Sequence, residues 1–246
     1  DEKPARAFGL GLCPRQRDGL KSYLLGLGLE EDVAVEAGLL YRDEGGGTRD
    51  FFRGRLMFPI HDARGRVVGF GGRALDESNP KYLNTSRTPV FDKRGTLYAL
   101  HLAADSIKER GKGIVVEGYM DVIAAHQYGH TNVVASMGTA LTEQQVSTLK
   151  RLGSNFVLAL DPDTAGQEAT LRSLESSWRL FEDQAVDGRR RAVPVYRRES
   201  LTLGIAALPA GADPDKLIRQ DAGEWERRTD EAVPFMEFYV SAIASR

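Results

Sequence analysis

Glu117, Asp161 and Asp163 are the residues of this chain best suited by type and spacing to hold a divalent metal. Glu117 follows the apolar run Ile114-Val115-Val116 and precedes Gly118, which puts a carboxylate at a strand end, in a tight strand-to-helix turn. Asp161 and Asp163 follow the run Val157 to Leu160, with Ala165 and Gly166 opening the next helix. Both acidic sites therefore fall on one edge of a single predicted sheet. Two aspartates one residue apart in a loop can aim their oxygens at a shared cation, and hard cations such as Mg²⁺ take oxygen ligands. A divalent pair held this way can activate a hydroxyl nucleophile and stabilise a departing pyrophosphate, which are the needs of phosphoryl transfer. Taken alone, an aspartate ahead of a helix is most often an N-cap, and Asp163 fits that reading too. Three carboxylates on one edge repel each other unless cations neutralise them, and this favours metal binding.

Asp213 and Asp215 form a third acidic site, between a predicted strand and a predicted helix. Capping and metal binding explain this pair equally, since Pro214 is tolerated at a first helical position. Asp121, one turn into the helix after Glu117, either faces the same site or complements the positive helix N-terminus. On the basic side, Arg53, Arg55, Arg73, Lys81 and Lys93 sit among loops and strand ends, with Gly69, Gly71 and Gly72 nearby. Arginine suits phosphate because its planar group donates two parallel hydrogen bonds. The Gly-Phe-Gly-Gly run is explained equally well by a simple turn. Tyr82 and Phe91 lie in this stretch and are candidates for stacking on bases, as single-strand binding requires. For Phe91 core packing is the stronger reading.

The elements that must carry these residues follow from periodicity. Gln16 to Gly28 and Glu30 to Gly38 predict two short helices, each closed by a glycine. Glu44 to Thr48 is a glycine-rich loop. Leu56 to Ile60 and Arg66 to Phe70 predict strands joined by a turn over His61 to Gly65. Gly71 to Gly95 predicts a region that is mostly loop. From Lys112 the pattern alternates strand and helix: Ile114 to Val116, Met120 to Tyr128, Asn132 to Ala135, Thr142 to Leu152, Phe156 to Leu160, Ala165 to Phe181, Leu203 to Leu208 and Pro214 to Arg219. Thr142 and Gln145 have the spacing of a capping box. Four strands separated by helices imply parallel pairing, with functional residues beyond the carboxyl ends of the strands. Asp183 to Ser200 is polar, with basic runs at Arg189 to Arg191 and at Arg197 and Arg198. It predicts a long exposed loop. Phe235 to Ser245 predicts an apolar-rich helix opening a further helical unit.

Composition narrows the function. The chain has 246 residues, of which 41% are hydrophobic, enough for a normal buried core. The longest uninterrupted apolar run, Phe156 to Leu160, is far below the roughly 20 residues of a membrane span, and no signal pattern opens the chain, so a cytoplasmic location is expected. Cys13 is the only cysteine, which excludes an internal disulfide and a cysteine-based zinc cluster in this chain. A net charge of −2 argues against a surface that attracts nucleic acid everywhere. The distribution says more: Arg49 to Arg94 holds ten Lys or Arg against five Asp or Glu, ahead of mostly acidic candidates. A basic segment that grips phosphates and an acidic cluster that holds metals account for that order, as does a plain solvated surface.

Glu-Gly-Tyr-Met-Asp at 117 to 121, Ser-Met-Gly-Thr at 136 to 139 and Asp-Pro-Asp at 161 to 163 together resemble the Toprim fold of DnaG-type primases, type IA and type II topoisomerases and several nucleases. Phe52 to Ile60, Gly69-Phe70-Gly71-Gly72-Arg73 and Pro80-Lys81-Tyr82-Leu83-Asn84 resemble the segments that precede this region in bacterial DnaG-type primases. The agreement runs from Phe8-Gly9-Leu10-Gly11 to Asp213-Pro214-Asp215. It departs from the family pattern at Pro162, where the primase motif carries glycine, and in a longer gap before Asp213.

The resemblance implies an α/β fold in three parts: an α+β basic subdomain over 1–111, a Toprim-type parallel sheet flanked by helices over 112–222, and the start of a helical subdomain over 223–246. It implies that Glu117, Asp161 and Asp163 bind two or more Mg²⁺ or Mn²⁺ ions, with Asp121, Asp213 and Asp215 in supporting acidic positions. It also implies that Arg53 or Arg55, Arg73, Lys81 and Lys93 contact the nucleotide or template. The activity implied is synthesis of short RNA primers on single-stranded DNA from ribonucleoside triphosphates, by a monomer. The family's zinc-binding domain and the domain that docks the replicative helicase have no counterpart here, so a catalytic fragment is expected, with weaker template selection and no helicase docking. The rival readings are a Toprim topoisomerase or nuclease, and a non-catalytic nucleic-acid-binding module.

Overall fold

The structure, a computed structural model, describes residues 2–77, 79–138, 141–160, 175–176, 178–179, 202–209 and 211–244. Contacts divide the chain into two units, Asp1–Lys93 and Arg94–Arg246.

The first unit contains α1 (Glu2–Ala7), β1 (Gly11–Leu12), α2 (Gly19–Gly26), α3 (Glu31–Glu36), β2 (Leu40–Arg42), β3 (Thr48–Asp50), β4 (Arg55–His61), β5 (Val67–Ala74) and β6 (Tyr82–Asn84). An antiparallel sheet runs β1-β4-β5-β6, and β2 and β3 form a separate hairpin. Alternation explains β4, which buries Phe58 and Ile60 and leaves Met57 and Pro59 half-exposed. The turn to β5 is built by Asp62, whose Oδ1 accepts the backbone N–H groups of Arg64 at 2.9 Å and Arg66 at 3.0 Å. Asp50 binds the free N–H groups of Leu20 and Lys21 at the start of α2 with its carboxylate, at 2.8 and 2.9 Å.

Among the described residues, Gly71 to Gly95 is mostly loop as expected, apart from two strand stretches and one 3-10 turn that the reading missed. β5 continues through Ala74, and Gly71, Gly72 and Arg73 pair with Asn84, Leu83 and Tyr82 of β6. The glycine at 72 answers to packing rather than to a turn. A Cβ there would lie 2.8 Å from the Phe52 ring and 3.0 Å from Cδ of Arg55.

The second unit contains α4 (Leu100–Arg110), β7 (Lys112–Val116), α5 (Tyr119–Gln127), β8 (Val133–Ala135), α6 (Glu143–Leu149), β9 (Asn155–Leu160), β10 (Thr202–Ala207), α7 (Pro214–Gln220), α8 (Ala222–Asp230), β11 (Val233–Pro234) and α9 (Phe235–Ala244). Its sheet runs β11-β10-β9-β7-β8, with the last four parallel and β11 an antiparallel edge. Ile114, Val115, Val116 and all three residues of β8 are buried, as a parallel sheet covered on both faces requires. Ile107 of α4, Leu149 of α6, Phe156 of β9, Ile205 of β10 and Phe235 of α9 share one apolar cluster. Burying a side chain such as Ile107 or Leu149 contributes about 1.5–3 kcal/mol.

The capping box is present as its spacing predicts. Gln145 N–H donates to Thr142 Oγ1 at 3.2 Å, and Thr142 N–H to Gln145 Oε1 at 3.0 Å. Among the described residues three helices escaped the sequence reading, α1, α4 and α8. α4 buries Leu100, Ala103 and Ile107, a helical spacing that could have revealed it. α8 is anchored by the fully buried Trp225. Of the helix expected over Ala165 to Phe181, only 175–176 and 178–179 lie within the described residues, and the loop expected over Asp183 to Ser200 lies outside them. Among the described residues no helix is long and apolar enough to cross a membrane.

Candidate functional site

The carboxyl ends of β7 and β9 share one edge, because Ile114 and Val115 stand in parallel register with Val157 and Leu158. β7 ends at Val116, so Glu117 is the first residue past the strand, and α5 begins two residues later at Tyr119. Between them, Gly118 N–H donates to Asp121 Oδ2 at 3.0 Å. A Cβ at 118 would lie 2.8 Å from that oxygen, so a larger residue there would shift the Asp121 carboxylate. Of the two roles left open by its spacing, the one at the helix N-terminus is seen: Asp121 satisfies a free donor at the head of α5.

A second helix start meets it there. Asp213 caps α7, accepting the Lys216 N–H at 2.7 Å, with Pro214 in the first turn. The Asp215 backbone N–H reaches across to Asp121 Oδ1 at 3.2 Å, while the Asp215 carboxylate pairs with Arg219 at 2.7 Å. Burial pushes the Asp121 carboxyl up to about 6, and the Asp213 and Asp215 carboxylates push the same way against the two backbone donors. Oxygen ligands suit a hard divalent cation, whose charge would offset the burial and the neighbouring carboxylates that favour the protonated form of Asp121. Among the described residues no three His, Cys, Asp or Glu side chains form a complete metal-holding group. Asp161 and Asp163, expected as ligands, lie outside the described residues.

In the first unit, Arg73 and Tyr82 face each other across β5 and β6, with the guanidinium 5.8 Å from the ring centre, a cation–π contact. Tyr82 is 39% exposed, whereas Phe91 is buried, so stacking is open to the first and core packing holds for the second. Lys81 and Lys93 are exposed. Arg53 is exposed too, and it lines a cleft of about 490 Å³ with Arg15, Tyr41, Phe51 and Asp76. Arg15 pairs with Asp76 at 3.0 Å. Phe51 is near Arg53 in the chain, but nothing local points to Arg15 or Tyr41.

Arg55 is put to another use than the phosphate contact expected of it. It is buried, and its Nη1 donates to the carbonyl of Pro80 at 2.9 Å and, at 3.4 Å, to those of Gly72 and Lys81. The guanidinium holds β4 to the segment leading into β6.

Residues 1–104 match the family described as DNA primase catalytic core, N-terminal domain, and residues 114–197 the family described as Toprim-like. The DNA primase of Clostridium acetobutylicum is 38% identical over 247 residues, covering 98% of this chain and 37% of that protein. A structure of the DnaG primase catalytic domain bound to ssDNA superposes with a TM-score of 0.81 at 34% identity, covering 99% of this chain and 71% of that one. The E. coli primase catalytic core gives 0.80 at 35%, with 99% and 73% covered. The chain spans about a third of the length of the curated relatives it matches.

Proposed function

The chain belongs to the family of bacterial DnaG-type primase catalytic cores, and from that membership we propose that it makes short RNA primers on single-stranded DNA from ribonucleoside triphosphates. The observation that carries the reading is the acidic edge. Glu117 stands just past β7, and Asp121 is tied to the head of α7, where burial first and the Asp213 and Asp215 carboxylates second raise its proton affinity.

In this reading Glu117, Asp161 and Asp163 hold two or more Mg²⁺ or Mn²⁺ ions, with Asp213 and Asp215 as further ligands and Asp121 in support. Bound there, the ions supply Lewis-acid activation of the attacking 3′-hydroxyl and charge neutralisation on the triphosphate. The chain's own residues position the reactants. Arg53, Arg73, Lys81 and Lys93 bind phosphates of the nucleotide and template, which draws support from the exposure of Arg53, Lys81 and Lys93. Tyr82 offers a half-exposed ring for stacking on a base, its orientation held by Arg73.

Incorporation of labelled ribonucleotides on single-stranded DNA with Mg²⁺ or Mn²⁺ tests the proposal. The wild-type chain is expected to make RNA, and an Asp161→Ala, Asp163→Ala variant to make none. Equal synthesis by the two would refute it, and strand cleavage without incorporation would favour a Toprim nuclease.

A further inference from the structure

The Ser-Met-Gly run after β8 has no part in the contacts proposed above, yet it is held more firmly than a connection requires. Ser136 N–H donates to the Val116 carbonyl at 3.1 Å, so it is bonded to the residue directly before Glu117. The Ser136 carbonyl accepts from Gln145 Nε2 at 3.2 Å, and the same amide group donates to the Thr96 carbonyl at 2.8 Å. The Ser136 hydroxyl turns onto Gly138. Between these anchors Met137 takes the left-handed conformation, with φ of 59°, and its side chain is buried. A side chain rarely adopts that backbone, and such strain persists only where the surroundings impose it.

What Met137 contributes there is its sulfur. Tyr119, two residues after Glu117 and the first residue of α5, donates its hydroxyl to Met137 Sδ at 3.4 Å. The Tyr119 ring is itself buried and packed edge-on against Tyr98, with centroids 4.7 Å apart. Glycine at 137 would adopt the backbone without strain, and leucine would fill the space, but neither offers an acceptor to a buried hydroxyl. Glu117 is therefore bracketed. The Val116 carbonyl before it is tied to Ser136, and the Tyr119 side chain after it is tied to Met137.

We infer that Tyr119 and Met137 form a clasp that positions the Glu117 carboxylate for metal binding, Met137 acting as a positioning residue through Tyr119. This rests on the reading of Glu117 as a metal ligand. The left-handed turn points the thioether at the tyrosine, and the tyrosine fixes the start of α5 and with it the strand-to-helix turn in which Glu117 sits.

The test compares Tyr119→Phe, Met137→Leu, the double variant and Glu117→Gln in the whole chain. Mn²⁺ affinity is measured by electron paramagnetic resonance, beside kcat and KM for ribonucleotide incorporation and urea midpoints. Each single variant is expected to lose about fivefold in Mn²⁺ affinity and in kcat, with KM for nucleotide unchanged. The double variant should be no worse than either, because one interaction is removed once. Wild-type Mn²⁺ affinity in both singles, or losses that multiply to roughly 25-fold in the double, would overturn the clasp. If Met137→Leu fails to fold, Tyr119→Phe decides by the same measure. Unchanged affinity in Glu117→Gln overturns the metal reading and the clasp with it, whereas a loss there beside wild-type affinity in both clasp variants overturns the clasp alone.

Discussion

Asp121 and Asp215 are joined across 94 positions of chain by a single hydrogen bond, the Asp215 backbone N–H to Asp121 Oδ1 at 3.2 Å. That bond sets the head of α7 against the head of α5, and it is made by the main chain of Asp215, not by its carboxylate. Asp121→Ala should therefore cost about 1–3 kcal/mol, since it removes the acceptor of two backbone donors, those of Gly118 and Asp215. Asp215→Ala should cost less, because it leaves that backbone hydrogen bond in place and removes an ion pair to Arg219, whose side chain is 55% exposed. Urea denaturation at pH 5 checks this. Below its value of about 6 the Asp121 carboxyl is mostly protonated, so the loss reports hydrogen bonding rather than charge. Equal costs for the two variants would contradict it.

Local signals were legible where the cause is local. The capping box at Thr142 and Gln145, the turn at Asp62 and the parallel strands of the second unit all arise within a few residues of their signals. Strand ends are local too, which is why Glu117 could be placed at a sheet edge from sequence. The misreadings have remote causes. Gly72 is small because Phe52 and Arg55 crowd it from the neighbouring strand and the approach to it. Arg55 looks like a phosphate ligand until the carbonyl of Pro80, 25 positions away, is seen to take its guanidinium. Met137 carries no mark of its left-handed backbone in the residues beside it.

Arg53 and Arg55 should separate binding from folding. Arg53 is exposed beside the cleft, so Arg53→Ala should leave stability within about 0.5 kcal/mol while weakening single-stranded DNA binding and lowering its salt dependence. Arg55→Ala should instead cost about 1–3 kcal/mol, because it removes the Nη1 donor from the buried carbonyl of Pro80 and from those of Gly72 and Lys81. Urea midpoints and fluorescence anisotropy with a labelled oligonucleotide check both. A folding loss confined to Arg53→Ala would reverse the assignment.

His126 gives the second unit a dependence on pH. Burial holds its imidazole below the ordinary value of 6.5, against the opposing hydrogen bond between Nε2 and the Val133 carbonyl at 2.9 Å. The folded chain therefore binds this proton more weakly than the unfolded chain. Stability is fully present above about 6.5 and is lost as pH falls from there through the lowered folded value. Burial lowers His61 and His130 as well, so the wild-type slope is a sum. Urea midpoints at pH 7.5, 6 and 5 (about one to two units apart, so as to span the window) should fall less steeply in His126→Gln than in the wild type. Identical slopes would show that His126 is not a source.

Asp213 offers a way to tell a cap from a ligand at one position. Its Oδ1 accepts the Lys216 N–H at 2.7 Å, so Asp213→Ala should cost about 1 kcal/mol by freeing a donor at the head of α7. Asparagine caps nearly as well, and Asp213→Asn should fold with little loss. The carboxylate that raises the Asp121 proton affinity is absent from both variants. If Asp213 only caps, Mn²⁺ affinity in Asp213→Asn will match the wild type. If it is also a ligand, as proposed, affinity should fall by about tenfold or more while the urea midpoint stays within error, because asparagine keeps the oxygen that caps but loses the charge that binds. A matching fall in both quantities would mean that asparagine had disturbed the helix start, and Asp213→Ser, a cap without a carboxylate, would then repeat the comparison.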